Sequence, residues 1–163
     1  MEKIMWLVLG GVTFVAALRA ARSARALHVA RVSLGVLFIG FGAVVNAVYL
    51  ATDPDSYTDF AEVSPFPFVQ DTWQSLVVPH LAWFITLLIV CEALAGALVL
   101  SGGRGTQIGL LALIGFHIGL LAIGGILWPW AILMLVALVL LLRAERIHRT
   151  PHRTPGVMVE AVG

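Results

Sequence analysis

The chain has 163 residues, 60% of them hydrophobic and 12% charged, with a formal net charge of +1 and a mean hydropathy of +0.99. Soluble domains carry about 25% charged residues, so the composition excludes a soluble globular protein and points to one domain embedded in a membrane. A single cysteine, Cys91, excludes an internal disulfide and any Cys-x-x-Cys redox or zinc motif.

A spanning helix needs about 20 apolar residues. The first apolar segment, 4–18, is short; it reads as a membrane anchor, the alternative being a cleavable signal peptide ending near Ala16 and Ala17. Arg19, Arg22, Arg25 and Arg31 follow it, as suits a cytoplasmic loop. The second span covers about 30–50. Segment 51–76 then carries Asp53, Asp55, Asp59, Glu62 and Asp71 without any lysine or arginine, punctuated by Tyr57, Phe60, Phe66, Phe68 and Trp73. Asp53 before Pro54 predicts an N-cap and a short surface helix to about Glu62, after which Pro65 and Pro67 keep the chain extended.

The third span covers 77–100 and is followed by a turn at Gly102-Gly103-Arg104-Gly105, which lacks the spacing of a phosphate-binding loop. Residues 108–142 carry no formal charge. As one helix they would extend about 52 Å, against a hydrocarbon core of about 30 Å. Gly124-Gly125 and Trp128-Pro129-Trp130 near the centre predict two helices, 108–125 and 128–142, broken at a membrane-surface turn. Residues 1–147 form the bundle, and 148–163, with Pro151 and Pro155, a flexible cytoplasmic tail. His148 and His152 stand at i, i+4, but Pro151 between them and the lack of a third ligand give no metal site.

Charge checks the count. Nine of the ten Lys and Arg residues fall in three clusters, Arg19–Arg31, Arg104 and Arg143–Arg153. Five spans, N-out and C-in, place all three on the cytoplasmic side; four would export the tail, against the positive-inside rule. Each cluster abuts an apolar run, so the arginines report topology toward the lipid bilayer and not a nucleic-acid surface.

Glu92 is the one formal charge within 77–100. A carboxylate at bilayer depth costs roughly 2.5–3.5 kcal/mol on insertion scales, so the fold must pair it, protonate it or use it. It lies about 13 Å from the cytoplasmic end, and His117, on the next span, about 14–15 Å from the same end. Equal depth on antiparallel neighbours places the two for contact. Gly115 and Gly119 around His117, and Ala93, Gly96 and Ala97 after Glu92, would let the helices approach closely. As function, Glu92 and His117 handle protons at a quinone head group; as structure, they hydrogen-bond and hold two helices in register. Toward the outer face, Asn46, His80, Trp73 and Trp83 gather near Asp53, either as the mouth of a ligand pocket roofed by 51–76 or as an ordinary interfacial belt. Cys91 reads as an inert core thiol.

Over about 30–143 the chain resembles the DoxX-like family of small bacterial membrane proteins. The likeness rests on the glycine-rich helix ARVSLGVLFIGFGAVVNAVYL and the polar aromatic segment with its prolines. It continues in HLAWFITLLIVCEALAGALVLSGG, where a Glu precedes small residues and a Gly-Gly turn, and in the helix pair broken at ILWPW. The resemblance implies an all-α four-helix membrane bundle in the bacterial inner membrane, here with an extra N-terminal helix, and in some members a subunit of a quinone-linked oxidoreductase. No covalently bound cofactor is then expected, a quinone is, and the redox cofactor resides in a protein partner. The alternatives are a non-enzymatic scaffold that docks a partner through 51–76, and a small transporter, which the scarcity of intramembrane charge and the absence of an internal repeat disfavour.

Overall fold

The computed structural model describes residues 2–125 and 127–149. It is all helical, with no strand among the described residues. Helix α1 spans Glu2–Ala20, α2 Ala24–Thr52, α3 Pro67–Ser101, α4 Gly103–Ile123 and α5 Leu127–Arg149. The last four are long and apolar enough to cross a membrane, and Ile4–Ala20 is a shorter apolar helix, the architecture of a multi-pass membrane protein.

Helices neighbouring in sequence pack on one another, and α5 returns to pack on α1, so the five close into a ring. Its interior is filled by Leu34, Leu37 and Phe38 of α2, Leu110 and Leu113 of α4, and Met134, Leu138 and Leu141 of α5. The N-terminal helix is part of this core: Ala16, Ala17 and Ala20 are buried in it. Thr13 shares a buried 2.8 Å hydrogen bond with Ser33, and Trp6 meets Trp130 edge to face at 5.3 Å. Lipid is as apolar as leucine, so close packing and hydrogen bonds such as Thr13–Ser33, worth about 0.6 kcal/mol on average, hold membrane helices together.

Both ends follow from local chemistry. Ser23 caps α2, its Oγ accepting from the Ala26 amide at 3.2 Å. Arg31 closes α3, donating from Nε to the Val99 carbonyl (3.0 Å) and from Nη2 to that of Leu100 (3.1 Å), and a nitrogen of His148 meets the Ala20 carbonyl at 2.8 Å. Arg19–Arg31, Arg104 and Arg143–Arg149 therefore share one end of the bundle, the basic end. The segment 53–66 lies at the other, the acidic end, where Ser64 donates to the Ala122 carbonyl at 2.7 Å.

The helices outrun the apolar stretches that predict them: α2 starts at residue 24 rather than 30, α3 at 67 rather than 77, α4 at 103 rather than 108, and α5 runs to 149 rather than 142. Charged and polar flanks remain helical once the apolar part is anchored. The expected tail thus begins later than 148, and from residue 150, including His152, it lies outside the described residues. The surface helix expected over 53–62 is instead one 3₁₀ turn, Pro54–Tyr57, followed by turns, and the Asp53 side chain makes no cap. Of the two signals for the break between 108–125 and 128–142, Gly124-Gly125 makes the turn, with φ values of +80° and +58° that only glycine adopts easily, and Trp128-Pro129-Trp130 does not. Pro129 lies in the first turn of α5, where its missing amide has no carbonyl to bond.

Two stretches are wound more loosely than an α-helix, Leu37–Val44 in α2 and Trp73–Val77 in α3. The second runs into the tight turn Val78–His80 around Pro79, which lacks a backbone donor. The first has no proline. Such widened turns gather at functional sites, and in this one Gly42 stands against the Glu92 carboxyl.

Candidate functional site

Glu92 lies inside the bundle, 4% exposed. Asn46 of α2 donates from Nδ2 to Glu92 Oε2 at 2.8 Å. The Tyr57 hydroxyl donates to Asn46 Oδ1 at 2.8 Å, and Trp73 Nε1 donates to the Tyr57 carbonyl at 2.9 Å. A carboxylate oxygen can only accept from the amide, and a carbonyl oxygen can only accept from the phenol, so this chain has one internally consistent orientation. It links the middle of α3 to the segment at the acidic end. Gly42, in the widened part of α2, leaves the room: a Cβ there would stand 3.0 Å from Glu92 Cδ and 3.0 Å from Oε1.

His117 is fully buried. Its Nδ1 is 2.8 Å from the Leu113 carbonyl. A carbonyl cannot donate, so Nδ1 carries the hydrogen, and in the neutral ring Nε2 holds a lone pair. That Nε2 is buried without a hydrogen-bond partner. Phe38 stands edge to face against the ring at 5.8 Å, and Phe116 at 5.4 Å.

The expected Glu92–His117 pairing is therefore not made. Glu92 stands nine residues from the basic end of its helix and His117, with α4 starting at Gly103, fourteen; Glu92 faces Gly42 and Asn46 on α2, while the imidazole folds back on its own helix beside Phe38. The small residues act in part as expected. Gly96 brings α3 close to α2, where a Cβ would stand 2.7 Å from Ile39 Cγ1 and 3.3 Å from the Gly35 carbonyl oxygen. Between α3 and α4 the close approach is at Gly109, where a Cβ would come within 2.8 Å of the Val99 amide nitrogen, whereas Gly115 and Gly119 have nothing within 4 Å. Cys91, expected in the core, is exposed, because its neighbour Glu92 takes the inward direction.

The four residues expected to line a pocket are divided. Asn46 and Trp73 belong to the Glu92 chain. Trp83 is 66% exposed and stacks edge to face on Phe84, and the exposed His80 ring hydrogen-bonds the Leu76 carbonyl of its own helix. A groove of about 530 Å³ opens at the acidic end between Leu50, Pro54, Asp55 and Pro79, and none of the four lines it. Sequence reasoning missed Tyr57, Gly42 and Phe38. The available signal was Asn46 itself, an amide in an apolar run, which must find partners wherever the helix buries it.

Among the described residues no three His, Cys, Asp or Glu side chains come together as metal ligands. No family model matches the chain, nor does any curated protein or solved structure.

Proposed function

We propose that the chain is a DoxX-like subunit of a quinone-linked oxidoreductase in a bacterial inner membrane, with five spans, its N-terminus outside and its basic end in the cytoplasm. One observation carries the reading: a carboxyl inside the bundle, Glu92, is tied through Asn46 and Tyr57 to the acidic-end segment, and an unpartnered imidazole nitrogen lies in the same interior. Intramembrane ionisable groups are expensive and are kept for a task. The likeness of helix order and of the Glu and Gly pattern supports the family. The gathering of every described arginine at one end supports the orientation.

The residues suit a quinone head group. A carboxyl and a free imidazole nitrogen offer hydrogen-bond partners to its oxygens, and Phe38 and Phe116 offer flat apolar walls. A bound quinone would supply two-electron, two-proton chemistry, with electrons from a redox centre in a partner subunit. Asn46 donates to Glu92 Oε2, so a proton held by the carboxyl sits on Oε1. The Nδ1–H bond to Leu113 fixes the tautomer of His117 and keeps Nε2 as an acceptor for a hydroxyl. Tyr57 and Asn46 hold the carboxyl in place during its loss or gain of a proton.

The test is native mass spectrometry of gently extracted protein, with quinone assayed in the same sample. Quinone should accompany the wild type and be lost from a folded Glu92→Gln variant. A stoichiometric protein partner without quinone would refute the reading in favour of a scaffold. One observation favours that second reading: Ser64, Gln70, Trp73 and Gln74 pin the acidic segment by hydrogen bonds, and Asp53, Asp55, Asp59, Glu62 and Asp71 remain exposed on it. Such a surface is a preformed platform for a basic partner.

A further inference from the structure

Among the described residues the basic end holds eight arginines, Arg19, Arg22, Arg25, Arg31, Arg104, Arg143, Arg146 and Arg149, against one acid, Glu145. Three of them, Arg31, Arg104 and Arg149, come to the turn that joins α3 to α4. Arg104 is exposed on that turn. Arg149 reaches it from α5: a Cβ on Gly103 would stand 2.8 Å from its Nη2, and one on Gly102 would stand 3.5 Å from Arg31 Nη2. Residues distant in sequence thus bring guanidinium groups onto one two-glycine turn.

The only acid in this cluster does not neutralise it. Glu145 is 5% exposed and meets Arg149 through a single contact, Nε to Oε1 at 3.5 Å. Its Oε2 is buried with no partner. A well-formed arginine–carboxylate pair uses two parallel, shorter hydrogen bonds, so this pair is incomplete on both sides. The guanidinium has donors to spare and the carboxylate lacks a donor. Arg149, with only Nε on Glu145, can give its remaining donors to an anionic group beside the exposed Arg104.

We propose that the α3–α4 turn, with Arg104 and Arg149, binds the phosphate of an anionic phospholipid. The phosphate lies between the two guanidiniums, and Glu145, buried beside them, anchors Arg149 through its single contact. Basic pockets between membrane helices hold anionic head groups in this way, and the planar guanidinium matches phosphate geometry better than an ammonium would. The site is independent of Glu92 and of any quinone.

The experiment is thermal unfolding of the full chain in neutral detergent, followed by its tryptophan fluorescence. Phosphatidylglycerol, phosphatidylcholine, phosphatidylmethanol and sodium phosphate are added in turn. Phosphatidylglycerol at about a hundredfold excess over its Kd should raise Tm by roughly 5–10 °C, and phosphatidylcholine should not. Arg104→Gln, which leaves the Arg149–Glu145 contact in place and so should fold, must lose most of the shift. Arg104→Gln combined with Arg149→Gln must lose all of it, and Arg22→Gln with Arg25→Gln must keep it. Equal loss in that last variant would mean diffuse charge attraction and overturn the site. An equal shift from sodium phosphate would overturn the lipid assignment, and no shift from phosphatidylmethanol, which has the charge without the glycerol hydroxyls, would overturn the assignment to the phosphate.

Discussion

Replacing Asn46 by leucine tests the polar chain most directly, because leucine nearly preserves the volume while removing both hydrogen bonds. The Asn46–Glu92 and Tyr57–Asn46 bonds, each 2.8 Å, are lost, and Glu92 Oε2 and the Tyr57 hydroxyl are left without those partners. Hydrogen bonds between membrane helices contribute about 0.6 kcal/mol on average and reach about 1.7. A buried polar group left unsatisfied costs about 1–3 kcal/mol. Two lost bonds and one stranded carboxyl oxygen, with the Tyr57 hydroxyl keeping its 3.4 Å contact to the Asn46 backbone carbonyl, give a destabilisation of about 2–3 kcal/mol. Tyr57→Phe removes the bond to Asn46 Oδ1 and that longer contact and should cost about 0.6–1.7 kcal/mol. Glu92→Gln keeps an oxygen that accepts from Asn46, so its stability should change by less than about 1 kcal/mol. Reversible unfolding in mixed micelles measures all three, and a double-mutant cycle isolates the Tyr57–Asn46 bond. Once Asn46→Leu is present, adding Tyr57→Phe should cost little more. Costs that add within about 0.3–0.5 kcal/mol would show that the two side chains are independent and would refute the chain as described.

Other substitutions probe separate features. Gly42→Ala presses a methyl against the Glu92 carboxyl and should cost about 1–3 kcal/mol in the same unfolding assay. His117→Phe should halve or abolish quinone retention in native mass spectrometry while lowering stability by less than about 1 kcal/mol, since the carbonyl it bonds belongs to its own helix; unchanged retention would remove His117 from the proposed site. Gly124→Ala combines a φ of +80° with a Cβ that would stand 2.6 Å from Pro65 Cδ, so a loss of about 2 kcal/mol or more is expected. Pro129→Ala should be neutral within about 0.5 kcal/mol, because the chain turns at the glycines; a loss above about 2 kcal/mol would restore the proline as the cause of the turn.

Apolar length and the placement of arginines make the helices legible in the sequence, since both are one-dimensional quantities. Glu92 stands out as costly from its apolar surroundings in the chain alone, and it is buried. Depth is legible only as well as the helix ends are: α4 starts at Gly103 rather than 108, which places His117 about 7 Å further from the basic end than its apolar stretch suggests. Direction around the helix is not legible. Whether Glu92 and His117 meet depends on the rotation of α3 and α4 about their own axes, which no local residue pattern announces. The outward direction of Cys91 escapes the sequence for the same reason, and so does the close approach that Gly109 makes in place of Gly115 and Gly119. Pro129 turns on a distinction of position: the residue that breaks a helix interior is harmless in the first turn. Tyr57 is hidden because its partner, Asn46, lies across a loop whose course depends on the finished bundle.

The closure of α5 onto α1 has a consequence for how the protein is made. The His148 contact to the Ala20 carbonyl joins residues 128 positions apart, and the Trp6–Trp130 pair is nearly as distant in sequence. Synthesis runs from the N-terminus, so α1 enters the bilayer with one flank, at Trp6, Gly10 and Ala20, open to lipid until α5 emerges. The bundle cannot mature helix by helix; its seam is sewn in the final step, and a ribosome stalled before Leu127 would leave an open arc in place of a ring.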